Sequence, residues 1–563
     1  MTTHSVYLLL LAGLASGYCN WFIARYIINS YAAILRRRNR THRARLLSLI
    51  GAVEDESTGG KKLIIGFLHP YCNAGGGGER VLWTAVAFHQ RTQSESICAI
   101  YTGDLDVSKQ DMIDKVKDRF GITLEPSSLL LIPLQTRYLV EASTWPRCTL
   151  LGQSLGSIVL GYEALSALIP DIYIDTMGYA FTFPVFRLLT DVPIGAYVHY
   201  PTISTDMLAR VSRRSAAHNN SATISNSVIL SYAKLIYYVV FAEMYSLCLR
   251  QAHLLMANST WTKNHVDRLL VPWLYRGGEH EQEEEEDTST STHAPSPADE
   301  DGLRQRVPPT LADNAHVEND GVQALRRKKR KFVKATVVYP PCDVESFAEF
   351  PVSPRASTVL SISQFRPEKE QAMQIRAFAR FVAGLDTHDP RRALVRLVLA
   401  GSCRDRADRS RVDELILLAQ SLGVAHAVSF KVNISWDELK ELLKTSLVGI
   451  STMVDEHFGI SVVEFMAAGL IPLVHRSGGP LLDIVVPLED DAGQGSSVAT
   501  GFHADGVEEY AEKLALIFAG LAPPERAQIQ QAARTLATRK FTVLNFERAW
   551  SQAFRAIVAK QSL

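Results

Sequence analysis

Glu456-His457-Phe458-Gly459-Ile460-Ser461-Val462-Val463-Glu464, followed by Met466-Ala467-Ala468-Gly469, decides how this chain is read. Two carboxylates stand eight positions apart, with Phe-Gly-Ile between them and small residues after. Just upstream, Leu447-Val448-Gly449-Ile450-Ser451 has the apolar character of a short buried strand. The first glutamate is therefore expected in a strand-to-helix loop, and the second in the first turns of a helix. Eight helical steps leave the pair ~80° apart around the axis, so a shared helix face is not the point. The N–H groups of such a loop open toward an anion, and a carboxylate on either side accepts from hydroxyls. The diphosphate, ribose and hexose of a nucleotide-sugar match that set of partners. The blander reading is a helix N-terminus with ordinary acidic capping.

Outward from this stretch, apolar strands alternate with helical sequence. In the second half the expected strands lie near Thr358–Ile362, Val395–Leu399, Ala427–Phe430, Leu447–Ile450 and Pro472–Val474. In the first half they are Leu63–Leu68, Ser96–Tyr101, Leu129–Leu134, Ile172–Asp175 and Pro193–Val198, with a helix over Glu79–His89. This alternation argues an α/β chain with parallel sheets covered on both faces. A length of 563 residues, 47% of them hydrophobic, allows more than one such domain.

Lys+Arg and Asp+Glu both number 59, which gives no global charge for nucleic acid. Seven scattered cysteines without a CxxC pair argue against a disulfide framework or a zinc site and favour a reducing compartment. Val6–Ala24 is 19 residues without a charge, about 28 Å as a helix and close to a bilayer core. The basic run Arg36–Arg45 follows it, so residues 1–35 are expected as an uncleaved transmembrane anchor and 36–61 as a cytosolic basic linker. Val228–Leu249 is a second apolar stretch, interrupted by Lys234 and Glu243. It reads as a membrane-dipping or interfacial helix, with a buried core helix as the alternative. Residues 278–334 run from an acidic block through Ser/Thr/Pro-rich sequence to Arg326–Lys331, a composition expected to be a disordered insert. The domains are therefore expected at 62–277 and 335–540, with 541–563 a terminal helix.

Arg366 and Lys369 follow a strand, at the carboxyl edge where α/β sheets bind ligands. An Arg fork and a Lys point charge suit a diphosphate, though two surface basics would look the same. Gly75-Gly76-Gly77-Gly78 permits close backbone approach but lacks the Gly-Lys-Ser/Thr ending of a P-loop, and a flexible turn is the simpler reading. His199 ends a strand in Tyr197-Val198-His199-Tyr200-Pro201; a lone histidine is more often structural.

Taken together, Glu456-x7-Glu464, Ala467-Ala468-Gly469, Pro472-Leu473-Val474 and Gly478-Gly479-Pro480 resemble family 4 of the retaining GT-B glycosyltransferases. Ser363-Gln364-Phe365-Arg366-Pro367-Glu368-Lys369 is similar to that family's basic diphosphate loop, and His69–Arg80 to its dolichol-pathway α-1,2-mannosyltransferase branch. The resemblance runs from about Lys62 to the C-terminus, apart from the insert. It implies a GT-B fold: two Rossmann-like domains facing a cleft, with the last helix, near Phe546–Ala559, crossing back to the first. It implies GDP-mannose as donor and a dolichyl-diphosphate-linked trimannosyl oligosaccharide as acceptor, on the cytosolic face of the endoplasmic reticulum membrane. Other dolichol-pathway mannosyltransferases are the partners it brings to mind, and no nucleic acid.

In the same implied scheme Glu464 accepts from the ribose and Glu456 from the mannose. Phe458, Gly459 and Ile460 present main-chain amides, Gly75–Gly77 and Gly401 lie by the donor, and His199 is an active-site histidine. Arg366 and Lys369 would replace a divalent metal, and no cofactor is expected. Retention would proceed by front-face displacement, because no nucleophilic carboxylate is identifiable. A transferase for another lipid acceptor, or a non-catalytic membrane scaffold, are the competing readings.

Overall fold

The computed structural model describes residues 3–52, 54, 61–93, 95–203, 207, 228–271, 333–489 and 497–559. The expected insert falls on 278–334, nearly all of it outside the described residues.

The first lobe carries β1 (Leu63–Leu68), α2 (Gly77–Thr92), β2 (Ser96–Thr102), α3 (Lys109–Phe120), β3 (Leu129–Pro133), α4 (Thr149–Ala167) and β4 (Ile172–Asp175), preceded by the long α1 (Thr3–Ser48). It continues through α5 (Phe183–Leu189), β5 (Ile194–Val198), α6 (Val228–Leu249), β6 (Leu254–Ala257), α7 (Thr260–Leu270) and β7 (Thr336–Val337). Its sheet has seven parallel strands in the order β3-β2-β1-β4-β5-β6-β7.

The second lobe contains β8 (Ala356–Ile362), α8 (Gln371–Gly384), β9 (Arg396–Gly401), α9 (Arg406–Ser421), β10 (Val428–Val432), α10 (Trp436–Thr445) and β11 (Ser446–Ser451). After these come α11 (Ile460–Ala468), β12 (Ile471–His475), β13 (Phe502–Ala504), α12 (Gly506–Ala515), α13 (Pro523–Lys540) and α14 (Val543–Val558). Its six strands are ordered β10-β9-β8-β11-β12-β13, all parallel.

Both sheets are thus doubly wound, with the order reversing between β1 and β4 in one lobe and between β8 and β11 in the other. Ligands of such sheets lie outside the strands' carboxyl ends at these switch points. Two Rossmann-like lobes in this arrangement are the GT-B layout. The strands are buried on both faces, which explains their continuous apolar runs: all six residues of β1 except Leu63 are buried, and all seven of β2.

α14 follows the second lobe in sequence but packs on the first. Phe546, Trp550, Ala553, Phe554 and Ile557 recur at helical spacing and are buried with Val81, Leu82 and Ile65. Trp550 Nε1 donates to His89 Nε2 at 3.0 Å inside that core, and Arg91 pairs with Glu547 at 2.7 Å. A second tie between lobes centres on Asp483, which is 1% exposed. Its carboxylate accepts from the Thr260 N–H (2.7 Å), the Thr260 hydroxyl (2.6 Å) and the Tyr339 hydroxyl (2.8 Å). A buried carboxylate is tolerated here because it is hydrogen-bonded on both oxygens.

Two expected boundaries need correction. The basic segment is not a linker: α1 runs unbroken through position 36 to Ser48, because no glycine or proline interrupts residues 36–48. Its end is locked down by Arg43, 6% exposed, whose guanidinium pairs with Glu54 (2.7 Å) and Asp171 (2.9 Å). The chain after residue 335 also does not start the second domain at once. Thr336–Val337 is the edge strand of the first sheet, with Met256 and Ala257 opposite. No helix of the described residues is long and apolar enough to cross a membrane.

Candidate active site

The loops that leave β8 and β11 flank the second lobe's switch point, and each contributes one half of an ion pair. Lys369, in a short 3-10 turn after β8, places Nζ 2.8 Å from Glu456 Oε2 in the loop after β11. Lys369 Nζ also lies 3.0 Å from Met453 Sδ. Arg366 stands at the start of the same turn with only a loose partner, Glu368 at 3.7 Å. Its buried Nε has no hydrogen-bond partner among the described residues. A guanidinium held this loosely beside a lysine is a receptor for oxyanions.

Gly401 ends β9 against this turn. A Cβ there would fall 1.9 Å from the Ser363 carbonyl oxygen, so the glycine lets the loop of Arg366 and Lys369 fold back over the strand end.

α11 starts immediately after Gly459, whose φ of +109° puts its backbone where glycine is at ease. The first N–H groups of the helix have no carbonyl behind them. Phe458 points its ring inward, 3% exposed, against Tyr339 and Phe541, and so holds the loop from the core side. One helical turn on, Glu464 is raised to about 7, first by burial. Arg80 opposes that rise, Asp343 adds to it and Arg119 opposes it. Arg80 and Arg119 belong to the first lobe, so this carboxylate already feels both sides of the cleft.

The first lobe meets this wall with backbone and neutral rings. α2 opens at Gly77, and a Cβ on Gly77 would sit 2.5 Å from Ile460 Cδ1 of α11. Only a glycine lets the two helix starts approach this closely. Gly76 N–H is held by Glu79 Oε2 at 2.7 Å, and Gly75 has φ +82°. His199, at the end of β5, lies beneath Gly78: a Cβ there would be 3.5 Å from His199 Nε2. That Nε2 is buried with no partner among the described residues. The imidazole is lowered to about 4, by burial first and then by His457, against a hydrogen bond to the Thr176 main chain. Thr176 also bonds His69 Nδ1 through its hydroxyl at 2.7 Å, so one residue at the β4 end orients both rings. His69 is lowered to about 3, by burial and then by His199.

The residues singled out from sequence lie in the turns and strand ends at the carboxyl edges of the two sheets, or in the first turns of α2 and α11. Two were missed. His457 stacks on Tyr200 of the first lobe at 4.0 Å and on Trp261 at 5.5 Å, and burial takes it to about 4. Its place next to Glu456 was the available signal. His69 precedes the glycine run, and its pairing with Thr176 spans 107 positions, which no local pattern reports.

Comparison with known proteins agrees with this geometry. Residues 62–270 match the family described as ALG11 mannosyltransferase N-terminus, and residues 344–536 match Glycosyl transferases group 1. The chain is 42% identical over 506 residues to the mouse (Mus musculus) protein named GDP-Man:Man(3)GlcNAc(2)-PP-Dol alpha-1,2-mannosyltransferase, covering 89% of this chain and 88% of that one. The chain belongs to this mannosyltransferase family. The mannosyltransferases of the same name from Neurospora crassa and Caenorhabditis elegans are 39% and 34% identical, over 90% and 88% of this chain and 82% and 92% of theirs.

More distant solved structures share the fold alone. The N-terminal domain of Candida albicans trehalose-6-phosphate phosphatase superposes with a TM-score of 0.55 at 11% identity, covering 88% of this chain and 97% of that one. Sucrose-phosphate synthase from Thermosynechococcus elongatus gives 0.52 at 14%, covering 89% and 100%. The shared two-lobe layout is tied together in this chain at Asp483 and α14.

Proposed function

We propose that the chain transfers mannose from GDP-mannose, with retained α configuration, onto dolichyl-diphosphate-linked trimannosyl-chitobiose, adding the fourth and fifth mannoses in α-1,2 linkage. The observation that carries this reading is the Lys369–Glu456 pair at the second switch point, set opposite the Gly77–Ile460 contact. It combines a cation for phosphate with a carboxylate for sugar hydroxyls at the place where two helix starts converge.

In the resting site Lys369 and Glu456 neutralise each other. An arriving diphosphate takes the Lys369 ammonium and the Arg366 fork, which frees Glu456 to accept from mannose hydroxyls. The opening N–H groups of α11 face the sugar and phosphate. Glu464 accepts from the ribose once ionised. As the bond to the diphosphate breaks, negative charge grows on the leaving oxygen, and Arg366, Lys369 and the amides stabilise it. The acceptor hydroxyl attacks from the same face, and its proton passes to the departing phosphate. His199, neutral with a free Nε2, accepts from a donor hydroxyl beneath Gly78. Two side-chain cations perform the charge neutralisation, so the reaction proceeds without a divalent metal.

The body sits on the cytosolic face of the endoplasmic reticulum, where the apolar start of α1 serves as a single-pass anchor and other dolichol-pathway mannosyltransferases are neighbours. The deciding assay supplies labelled GDP-mannose and the trimannosyl lipid acceptor, with and without chelator. Product extended by two α-1,2-linked mannoses, unaffected by chelation, is expected. Transfer only to a phosphoinositide or diacylglycerol, or no transfer, overturns the assignment.

A further inference from the structure

Asp175 is a buried carboxyl that the reaction described above does not use. It is the last residue of β4, at the first lobe's switch point, and is fully buried. Its Oδ1 accepts from the Met177 N–H at 3.0 Å, but its Oδ2 is buried with no hydrogen-bond partner among the described residues. Burial raises it to about 7, against the main-chain N–H groups of Met177, Gly178 and Tyr179. A buried oxygen left unpaired costs stability, so it calls for a donor that arrives from outside. The next residue, Thr176, orients His69 and His199, which places Asp175 one step from groups that line the cleft. From Asp175 the carboxyl edge runs outward through β1, β2 and β3. Tyr71 follows β1, Asp104 follows β2, and Arg137 and Glu141 follow β3. Arg137 lies 2.6 Å from Asp104 and 3.5 Å from Glu141, and its guanidinium stands 5.1 Å from the centre of the Tyr71 ring. Gly103 makes room for it: a Cβ there would fall 2.3 Å from Arg137 Cδ. Tyr179 couples the two ends, because burial raises its hydroxyl most and Tyr71, Asp175 and Glu141 then add to the rise.

We propose that this edge is the bed for the acceptor's oligosaccharide: Asp175 takes a hydroxyl of the mannose that is extended, and Tyr71, Asp104, Arg137 and Glu141 hold the sugars behind it. The chemistry selects a neutral polyol. Hydroxyls donate to Asp175 Oδ2, Asp104 and Glu141, Arg137 donates to sugar oxygens, and Tyr71 offers a flat face. Two carboxylates around one guanidinium repel a diphosphate, so the charged end of the acceptor lies elsewhere. The bed crosses four neighbouring strands, about 14 Å at the usual strand spacing, which leaves room for more than one sugar. Three tyrosines feel the charge of Asp175. Tyr173 and Tyr245 are fully buried and Tyr179 only half-buried, so Tyr179 is the ring that a sugar displaces to reach Oδ2. The identity of the ligand rests on the reaction proposed above; the place of the site and its polyol chemistry do not.

The test uses the full chain, labelled GDP-mannose and trimannosyl-chitobiosyl diphosphate on a short isoprenyl chain. It adds monodeoxy versions of the mannose that is extended, with the reacting hydroxyl kept. Asp175→Asn is expected to lower kcat/KM for the parent acceptor by on the order of tenfold or more, the scale of one hydrogen bond to a carboxylate. Its GDP affinity and melting temperature should stay near wild type. One monodeoxy acceptor should cost the wild type a similar factor and cost Asp175→Asn nothing further. Equal sensitivity of wild type and variant to every deoxy position would make Asp175 a purely structural acid and overturn the proposal. Glu141→Gln and Arg137→Gln, nearer the surface, should raise the acceptor KM severalfold with the donor KM unchanged. An unchanged acceptor KM in both overturns the bed, even if Asp175→Asn does not fold. Failure of the wild type on the parent acceptor would instead refute the proposed reaction. The bed is then decided by saturation transfer from the protein to free trimannosyl-chitobiose in the presence of GDP: a signal that Glu141→Gln weakens supports it, and no signal in the wild type overturns it.

Discussion

The two walls of the cleft are built on the same strand order and the same switch point, yet they carry opposite chemistry. The second-lobe wall is charged: Arg366, Lys369 and Glu456 lie in the turns after β8 and β11, and Glu464 one turn into α11. The first-lobe wall is mostly neutral: a glycine run opens α2, His69 and His199 are kept uncharged by burial, and Arg80 and Arg119 are the cations that act on Glu464 from this side. A doubly wound sheet determines where a ligand goes, but not what holds it. Here one copy of the fold grips charge, and the other supplies close approach and shape.

Removing charge from the second wall should do the most damage. Lys369→Ala and Glu456→Ala are each expected to lower transfer by ~100-fold or more, the scale of losing one preorganised group at developing charge. Both should melt near the wild-type temperature. Wild-type turnover in either folded variant would end the idea that the charged wall does the chemistry.

Closing the gap from the neutral side comes next. Gly77→Ala drives a methyl into Ile460, and a displacement of this kind is expected to cost on the order of tenfold or more in kcat/KM. Pairing it with Ile460→Val should recover part of the loss; no recovery would show that Gly77 matters for some reason other than contact between the helix starts.

A smaller effect separates the walls by pH. Glu464 should be half-ionised near pH 7 in the empty cleft. Its charged form is the one that accepts from ribose, so the KM for GDP-mannose should fall as pH rises through about 7. Glu464→Gln should abolish that dependence, and a pH-independent KM in the wild type would remove the proposed role.

The buried histidines of the cleft, two on the first lobe and one on the second, leave their own trace in stability. His69, His199 and His457 have folded-state values below 6.5, at about 3, 4 and 4, so the unfolded chain binds more protons in acid. Stability is therefore complete above about pH 6.5 and declines as pH falls toward 4. His199→Gln should flatten that decline modestly in melting curves taken across this window.

Much of this was legible from order along the chain. β11, its loop and α11 are contiguous, so Glu456, Gly459 and Glu464 could be placed on loop, helix cap and helix from spacing alone. Arg366 and Lys369 were readable for the same reason, as cations just past a strand. What escaped depends on contacts between distant segments. The two-residue edge strand Thr336–Val337 has no periodicity of its own and exists because β6 offers it a partner. The helical continuation of α1 past residue 36 was hidden because its arginines look like a solvated linker until Arg43 finds Glu54 and Asp171.

By itself, then, the amino-acid order determined the strands, the helix starts and the chemical character of each loop, because backbone dihedrals and apolar periodicity are local. Only the tertiary structure decided that Lys369 meets Glu456, that Gly77 abuts Ile460 and that α14 returns to the first lobe. Those are contacts between residues from 87 to 461 positions apart, and they are set by how two sheets pack and close, which no window along the chain contains.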